Sequence, residues 1–195
     1  MNRRNIQRWP LPLMGLLSML VLSAVTTFGH CDTMDGPVVR AAQAALKSGN
    51  VNLVLIWVKE KDEAELREAF RKTLKVRRLS RDARELADKY FFETVVRIHR
   101  TGEGVPYTGL KPTGTDLGPV IPAADKAIEN GLLTPLLKLF PENEKADIEK
   151  RFGDALAKKN FNRNDVAAGR NYVEAYSSFL EYLEHLYEQH QKGSS

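Results

Sequence analysis

Residues 51–58 read VNLVLIWV, an apolar run broken only by Asn52. The fold class turns on how that run is read. A short, mostly apolar run suits a buried strand or a buried helix segment, and periodicity does not separate the two. A strand needs a partner, because buried amides and carbonyls left unpaired are costly. No second stretch of the chain has strand character. The run is therefore assigned to a helix, and the chain to the all-α class.

Working outward, Asp35-Gly36-Pro37 opens a helix with proline at an early position. Val38, Ala41, Ala42, Ala45 and Leu46 give that helix an apolar stripe, and Gly49 ends it. Downstream, Asp62-Glu63-Ala64-Glu65 has the form of a capping box and predicts a helix to about Val76. Ser80 caps a further helix predicted to reach His99 or Thr101, with Gly102 as its stop. Pro122 starts a short helix to Asn130-Gly131, Thr134-Pro135 starts another, and Pro141 interrupts it. Residues 142–159 are amphipathic. Asn164 is the expected cap of a last helix to about His190, whose Tyr172, Val173, Tyr176, Phe179, Leu180, Leu183 and Tyr187 form a broad core-facing surface. The expected architecture is a bundle of about four main helices with shorter ones added.

Residues 102–120, GEGVPYTGLKPTGTDLGPV, hold five glycines and three prolines. Neither helix nor strand persists in such a segment. A long irregular stretch inside a compact domain is often functional. Tyr107, Leu110 and Leu117 argue against a free linker. A partner- or ligand-contacting loop and a packed surface loop are the two readings.

The N-terminus carries Arg3, Arg4 and Arg8 without an acid, and then an uncharged apolar run at 11–28. Thr27 and Gly29 are small residues at −3 and −1 of a cut before His30, which is the signal-peptide pattern. Eighteen residues also suffice to span a bilayer, so residues 1–29 are a signal peptide or an N-terminal membrane anchor. His30 before Cys31, where a lipoprotein needs a small residue, argues against lipidation. The expected location is extracytoplasmic, with membrane contact only through an uncleaved leader. Residues 30–192 are expected to form one helical domain, and 193–195 a disordered tail.

The chain carries +4, from 29 basic and 25 acidic residues. Three of those bases and none of the acids lie in the leader, so the remainder carries about +1. That lacks the electrostatic footprint of a nucleic-acid binder. A protein partner or an oligomer stays open.

Cys31 is the one cysteine and cannot form an internal disulfide. A lone thiol in an oxidising compartment must be buried, paired between chains or put to use. At a flexible N-terminus it is expected to be hard to bury, which favours use. Cleavage before His30 would gather a free amine, an imidazole, a backbone amide and a thiolate within two residues. Nitrogen and sulfur donors in a plane suit copper or nickel. His30, Cys31 and Asp35 are the candidate metal ligands. Asp35 is also read as a helix cap, and Asp32 is a further acid within reach.

His30-Cys31-Asp32 followed by Gly36 is similar to the hook of nickel superoxide dismutase. That family begins its mature chain His-Cys-Asp, with a second cysteine four residues after the first and a glycine next. The resemblance implies that His30 gives amine and imidazole, and Cys31 amide and thiolate. Here Asp35 occupies the second thiolate position, and the aromatic and proline pattern after the hook is absent. The resemblance supports metal binding more than dismutase chemistry. A longer resemblance covers nearly the whole mature chain. HCDTMDGPVV, GNVNLVLIWV, YFFETVVRIHR and GEGVPYTGLKPTGTDLGP look like recurring segments of an uncharacterised family of exported bacterial proteins, which implies a fold unit and no mechanism.

Elsewhere, Glu93 and Arg97 at i,i+4 read as an ion pair. His99, near a helix C-terminus, reads as a favourably placed charge or as a pocket residue. It directly precedes the Gly/Pro loop, where Tyr107, Lys111 and Asp116 offer polar groups. A site built by folding the His-Cys segment against His99 is the sharpest expectation. His185 and His190 read as solvated surface, although Glu181 and His185 have a metal-compatible spacing. No phosphate-binding glycine loop, zinc cysteine cluster, HExxH or GxSxG is present. Three functions remain: a transition-metal-binding protein, a non-enzymatic helical module that binds through 102–120, and a dismutase-like oxidoreductase.

Overall fold

The computed structural model describes residues 29–193. The leader at 1–28 and residues 194–195 of the tail lie outside the described residues. Eight α-helices run in order among those described: α1 Pro37–Ser48, α2 Asn52–Leu55, α3 Glu63–Val76, α4 Arg81–Glu103, α5 Val120–Asn130, α6 Thr134–Leu137, α7 Glu142–Lys158 and α8 Val166–Gly193. The protein is all-α, and among the described residues the one extended pairing is a single parallel bridge between Thr33 and Lys111.

The 51–58 run is a single helical turn, α2, followed by irregular backbone. Trp57 donates its amide to the Val54 carbonyl and Val58 to that of Leu55, so turns absorb the polar backbone without a partner strand. Val54, Leu55, Ile56, Trp57 and Val58 are all buried. The run is apolar all round because α1 covers one side and α8 the other.

Most helix limits follow local chemistry. Pro37 sits in the first turn of α1, and Gly49 ends that helix in the left-handed conformation with φ 75°. Ser80 Oγ accepts from the Ala83 amide at 3.0 Å, which starts α4. Three expectations are corrected. The capping box at Asp62 does not form. A 3₁₀ turn over Glu60–Asp62 leads directly into α3, so Asp62 already has helical dihedrals and caps nothing. Gly102 does not stop α4. It lies inside the helix against the Lys59 side chain, and Gly104, with φ 77°, is the stop. Asp165, not Asn164, starts α8, since its Oδ1 accepts from the Ala168 amide at 2.9 Å.

Two pairs of successive helices, α3–α4 and α7–α8, make the two largest helix–helix interfaces. α1 lies against α4, and α5 against α8. Phe91, Leu55, Leu66, Val95, Phe179 and Leu183 are fully buried where these elements meet. The segment at 105–119 is irregular, yet Tyr107, Leu110 and Leu117 pack onto the same cluster. It is a packed loop, not a linker.

Candidate functional site

The residues just before α1 plug the middle of this bundle. His30, Cys31, Asp32 and Thr33 are each less than a tenth exposed, which corrects the expectation that Cys31 sits on a flexible end. Two devices hold the segment. It turns on itself, with the Gly36 amide donating to the Thr33 carbonyl at 2.9 Å. A Cβ at position 36 would overlap the His30 carbonyl oxygen, so the turn closes on a glycine. The Gly/Pro loop then clamps it from outside. Lys111 donates its amide to the Asp32 carbonyl at 2.8 Å, and Met34 donates to the Lys111 carbonyl at 3.0 Å.

The His30 ring points at α5 and α8. Its Nε2 lies 2.9 Å from Asp125 Oδ2 and 3.2 Å from the Tyr176 hydroxyl. That hydroxyl donates to Asp125 Oδ1 at 2.6 Å, so both neighbours of Nε2 accept. The network therefore assigns the ring proton to Nε2 in the neutral imidazole. Nδ1 is buried and has no hydrogen-bond partner. Burial, reinforced by the Asp125 carboxylate, pushes the Tyr176 phenol well above its ordinary range.

Asp32 and Arg100 face each other at 3.3 Å with both side chains almost fully buried. Arg100 also reaches Glu103 at 3.5 Å. Burial raises the carboxyls of Asp32 and Glu103, and Arg100 opposes the rise in each. His99 is 4% exposed, and its Nδ1 meets the Trp57 carbonyl at 2.8 Å. A carbonyl only accepts, so Nδ1 carries the proton. Nε2 then presents a lone pair 3.3 Å from Glu103 Oε1 and makes no hydrogen bond. Burial depresses the imidazole to about 4, which keeps it neutral near pH 7. An acceptor thus faces a carboxyl group. Only a proton on Glu103, or a donor or cation between them, makes that contact favourable.

Two cavities meet at Glu103. An open cleft of about 540 Å³ lies between residues 56–59, the end of α4 and α8, with Trp57, His99 and Glu103 in its lining. Behind it is a small cavity of about 20 Å³, lined by His30, Cys31, Tyr176, Glu103, Glu181 and Glu184, among others. Glu103, Ser177 and Glu181 border both. The inner space fits one water or one ion. Burial raises the Glu184 carboxyl to about 8, helped by Glu188 and Glu181. Burial and the nearby Glu103 and Asp32 charges push the Cys31 thiol up strongly. A thiol held neutral is a poor nucleophile, so the surroundings do not activate Cys31 for covalent catalysis.

The structure places Asp32 near enough to His99 for its charge to act on the ring, and Lys111 of the Gly/Pro loop behind Asp32, while His30 and Cys31 line the inner cavity and His99 the outer cleft. Asp35 is not brought in. It is exposed, its carboxylate accepts from the Gly114 amide at 3.1 Å, and it is absent from the cavity lining. It does not cap α1 either, because Gly36 holds the N-cap position without a side-chain bond. Tyr107 packs at the loop, with its hydroxyl buried and without a hydrogen-bond partner. Arg97 pairs with Glu65 across to α3, not with Glu93. Among the described residues, no three His, Cys, Asp or Glu side chains form a group that could hold a metal ion as they stand. Sequence reasoning missed Asp125, Tyr176, Trp57 and Glu103. Tyr176 reads as ordinary core on α8, and nothing local links Asp125 to a histidine 95 residues earlier.

No curated protein and no solved structure matches the chain. One family model does, over residues 35–182, a span that starts five residues after His30 and includes His99, Glu103, Asp125 and Tyr176. The chain belongs to the family of unknown function DUF6448.

Proposed function

We propose that the protein is an extracytoplasmic transition-metal-binding protein whose ion sits in the small cavity beside Cys31. The observation that carries this reading is the His30 ring. An imidazole that gives one N–H to a carboxylate and keeps the other nitrogen free is the arrangement that orients histidine toward a metal. Asp125 supplies the carboxylate, Nδ1 is the free donor, and Cys31 lines the same ion-sized space. The donors are therefore His30 Nδ1 and Cys31 Sγ, with Glu103, Glu181 and Glu184 as nearby carboxylates and without Asp35. Three donors converge only after side-chain movement. Thiolate and imidazole suit copper or nickel. Binding would expel the thiol proton, so affinity should rise with pH.

The test is native mass spectrometry on protein exported with its own leader, before and after nickel is added. The expected result is a chain beginning near His30 with one ion, lost in Cys31→Ser and weakened in His30→Ala. Wild-type protein that stays metal-free throughout would sink the reading. A superoxide assay on the loaded protein then tests the dismutase resemblance.

A second reading is a non-enzymatic helical module that binds a ligand or partner at the Gly/Pro loop. A groove of about 450 Å³ favours it, bounded by Leu110, Lys111 and Pro112 on one side and by Glu85, Asp88, Lys89 and Phe92 of α4 on the other. That reading predicts that Cys31→Ser leaves binding unchanged.

A further inference from the structure

We propose that the corner where α3 turns into α4 is a docking tip that seats on an anionic phospholipid surface. This is independent of the metal reading.

Exposure marks the place. Six large apolar side chains are exposed among the described residues, and four of them, Val76, Leu79, Leu86 and Tyr90, fall within residues 76–90. Leu79 is 76% exposed and Leu86 72%, so the core holds neither. Leu79 stands in the turn between the two helices, just before the Ser80 cap. Leu86 and Tyr90 are four residues apart on α4 and share its outer face, away from the buried Phe91 and Val95. Apolar side chains gathered on a surface mark a contact site.

Charge says what covers them. Residues 71–84 hold seven bases and one acid, Asp82, which makes the corner +6. The rest of the chain after residue 28 holds 19 bases and 24 acids, which makes the body −5. Arg71, Lys72, Lys75, Arg78, Arg81 and Arg84 are exposed. The seventh base, Arg77, holds the corner together. It grips Asp88 through two nitrogens at 2.7 and 3.0 Å and donates to the Leu46 carbonyl at 3.1 Å. That last bond brings the end of α1, with its exposed Lys47, to the same corner. Glu68 pairs with Arg71 and Lys72, and Glu85 with Arg81, whereas Lys75 and Arg78 make no ion pair among the described residues.

Exposed apolar side chains interleaved with exposed bases match anionic headgroups above acyl chains. Leucine enters the boundary, the bases stay with the phosphates, and tyrosine suits the interface with an apolar ring and a polar tip. A second copy of the same corner would bring like charges together. A nucleic acid would use the bases and leave the leucines in water, and stacking along a strand needs more rings than Tyr90 alone. The contact is a docking surface and not a span: among the described residues no helix is long and apolar enough to cross a membrane.

The test is hydrogen exchange of residues 76–90 in the full chain exported with its own leader, at one fixed lipid concentration. Protection read locally reports the corner even where the leader itself holds the chain to a bilayer. Vesicles of equal parts phosphatidylcholine and phosphatidylglycerol should protect the amides of 77–86, and vesicles of phosphatidylcholine alone should not. Protection should fall ~25-fold in Lys75→Gln with Arg78→Gln, at about fivefold per base, and at least ~10-fold in Leu79→Ser with Leu86→Ser. All four side chains are exposed, and circular dichroism melts verify that both variants fold. Absence of protection, or equal protection by phosphatidylcholine alone, would overturn the docking tip. Protection that the leucine variant keeps in full, or that short duplex DNA gives as strongly, would also overturn it, because the corner would then be a general polyanion surface.

Discussion

Two regions of this protein set histidine beside carboxylate, and they differ in water. In the middle of the bundle, the almost fully buried rings of His30 and His99 sit against Asp125 and Glu103, whose side chains are about a fifth exposed. Toward the end of α8, His185 and His190 sit among glutamates at the surface. His185 is exposed beside Gln189, and His190 Nε2 meets Glu144 Oε1 at 2.8 Å with more than a third of its side chain in solvent. The residue types are the same. In the dry region each ring nitrogen has one assignable role, and a lone pair without a partner is an anomaly that calls for a ligand. In the wet region water completes any unfinished contact. Burial, not composition, makes one region a candidate site and the other a solvated face.

The sharpest way to break this contrast is Arg100→Ala. Arg100 is the guanidinium between Asp32 and Glu103, and its side chain is 3% exposed. Removing it leaves a buried carboxylate uncompensated, which typically costs about 3–5 kcal/mol. With a small domain's total near 5–15 kcal/mol, urea denaturation should show a folded state at the edge of stability. A loss below ~1 kcal/mol would mean that water reaches Asp32 and that the region is not dry.

Gly36→Ala tests how tightly the His30–Thr33 turn is held. The added methyl meets a backbone carbonyl, which cannot rotate away as a side chain would. The expected cost is about 3 kcal/mol, the upper end for overpacking. The same variant should weaken metal binding, because the turn that aims His30 has to shift. A neutral outcome in thermal denaturation would show the segment to be loosely seated.

These two variants also show what was legible in sequence. The all-α class and most helix limits were legible, because Pro37, Gly49, Ser80 and Gly131 act through their own backbone or their nearest neighbours. The errors at Asp62, Gly102 and Asn164 are also local, and each arose where a nearby residue offered a competing turn or cap. The candidate residues His30, Cys31, Asp32 and His99 were legible from residue type and position. The supporting groups were not. Asp125 and Tyr176 reach His30 from helices far along the chain, and no periodicity carries that information. Asp35 was misplaced because spacing along a chain does not say which way a turn faces.

The dry region should also have a pH signature with two limbs. Glu184 titrates near 8 in the folded protein against an ordinary value near 4.5, so the folded state holds the proton more tightly. Its contribution is complete below about pH 4.5 and is lost as pH rises through about 8. His99 is depressed to about 4, so its contribution is complete above about pH 6.5 and is lost as pH falls through about 4. Glu184→Gln should flatten the alkaline limb and raise stability at pH 9 by about 2 kcal/mol, allowing for its partial exposure to water. His99→Asn should flatten the acid limb by a similar amount. Denaturant midpoints measured from pH 4 to pH 9 separate the two, and parallel curves for variant and wild type would contradict the assigned burial.

The smallest expected effect belongs to the wet region. His190→Ala removes the contact with Glu144, which bridges the start of α7 and the end of α8. A partly exposed pair contributes little, because the ions are nearly as well solvated apart, and the helices are held by Ile148, Phe152, Phe179 and Leu183. The expected loss is below ~1 kcal/mol at low salt and close to zero at 1 M salt, where screening acts within about 3 Å. Salt should leave the Arg100→Ala deficit nearly unchanged, since buried charges are beyond its reach. Running both variants at two salt concentrations therefore measures the contrast itself. If the His190 effect were large and insensitive to salt, the end of α8 would belong with the buried network, and His190 with Glu144 would have to be weighed as a second site of the same kind as His30 with Asp125.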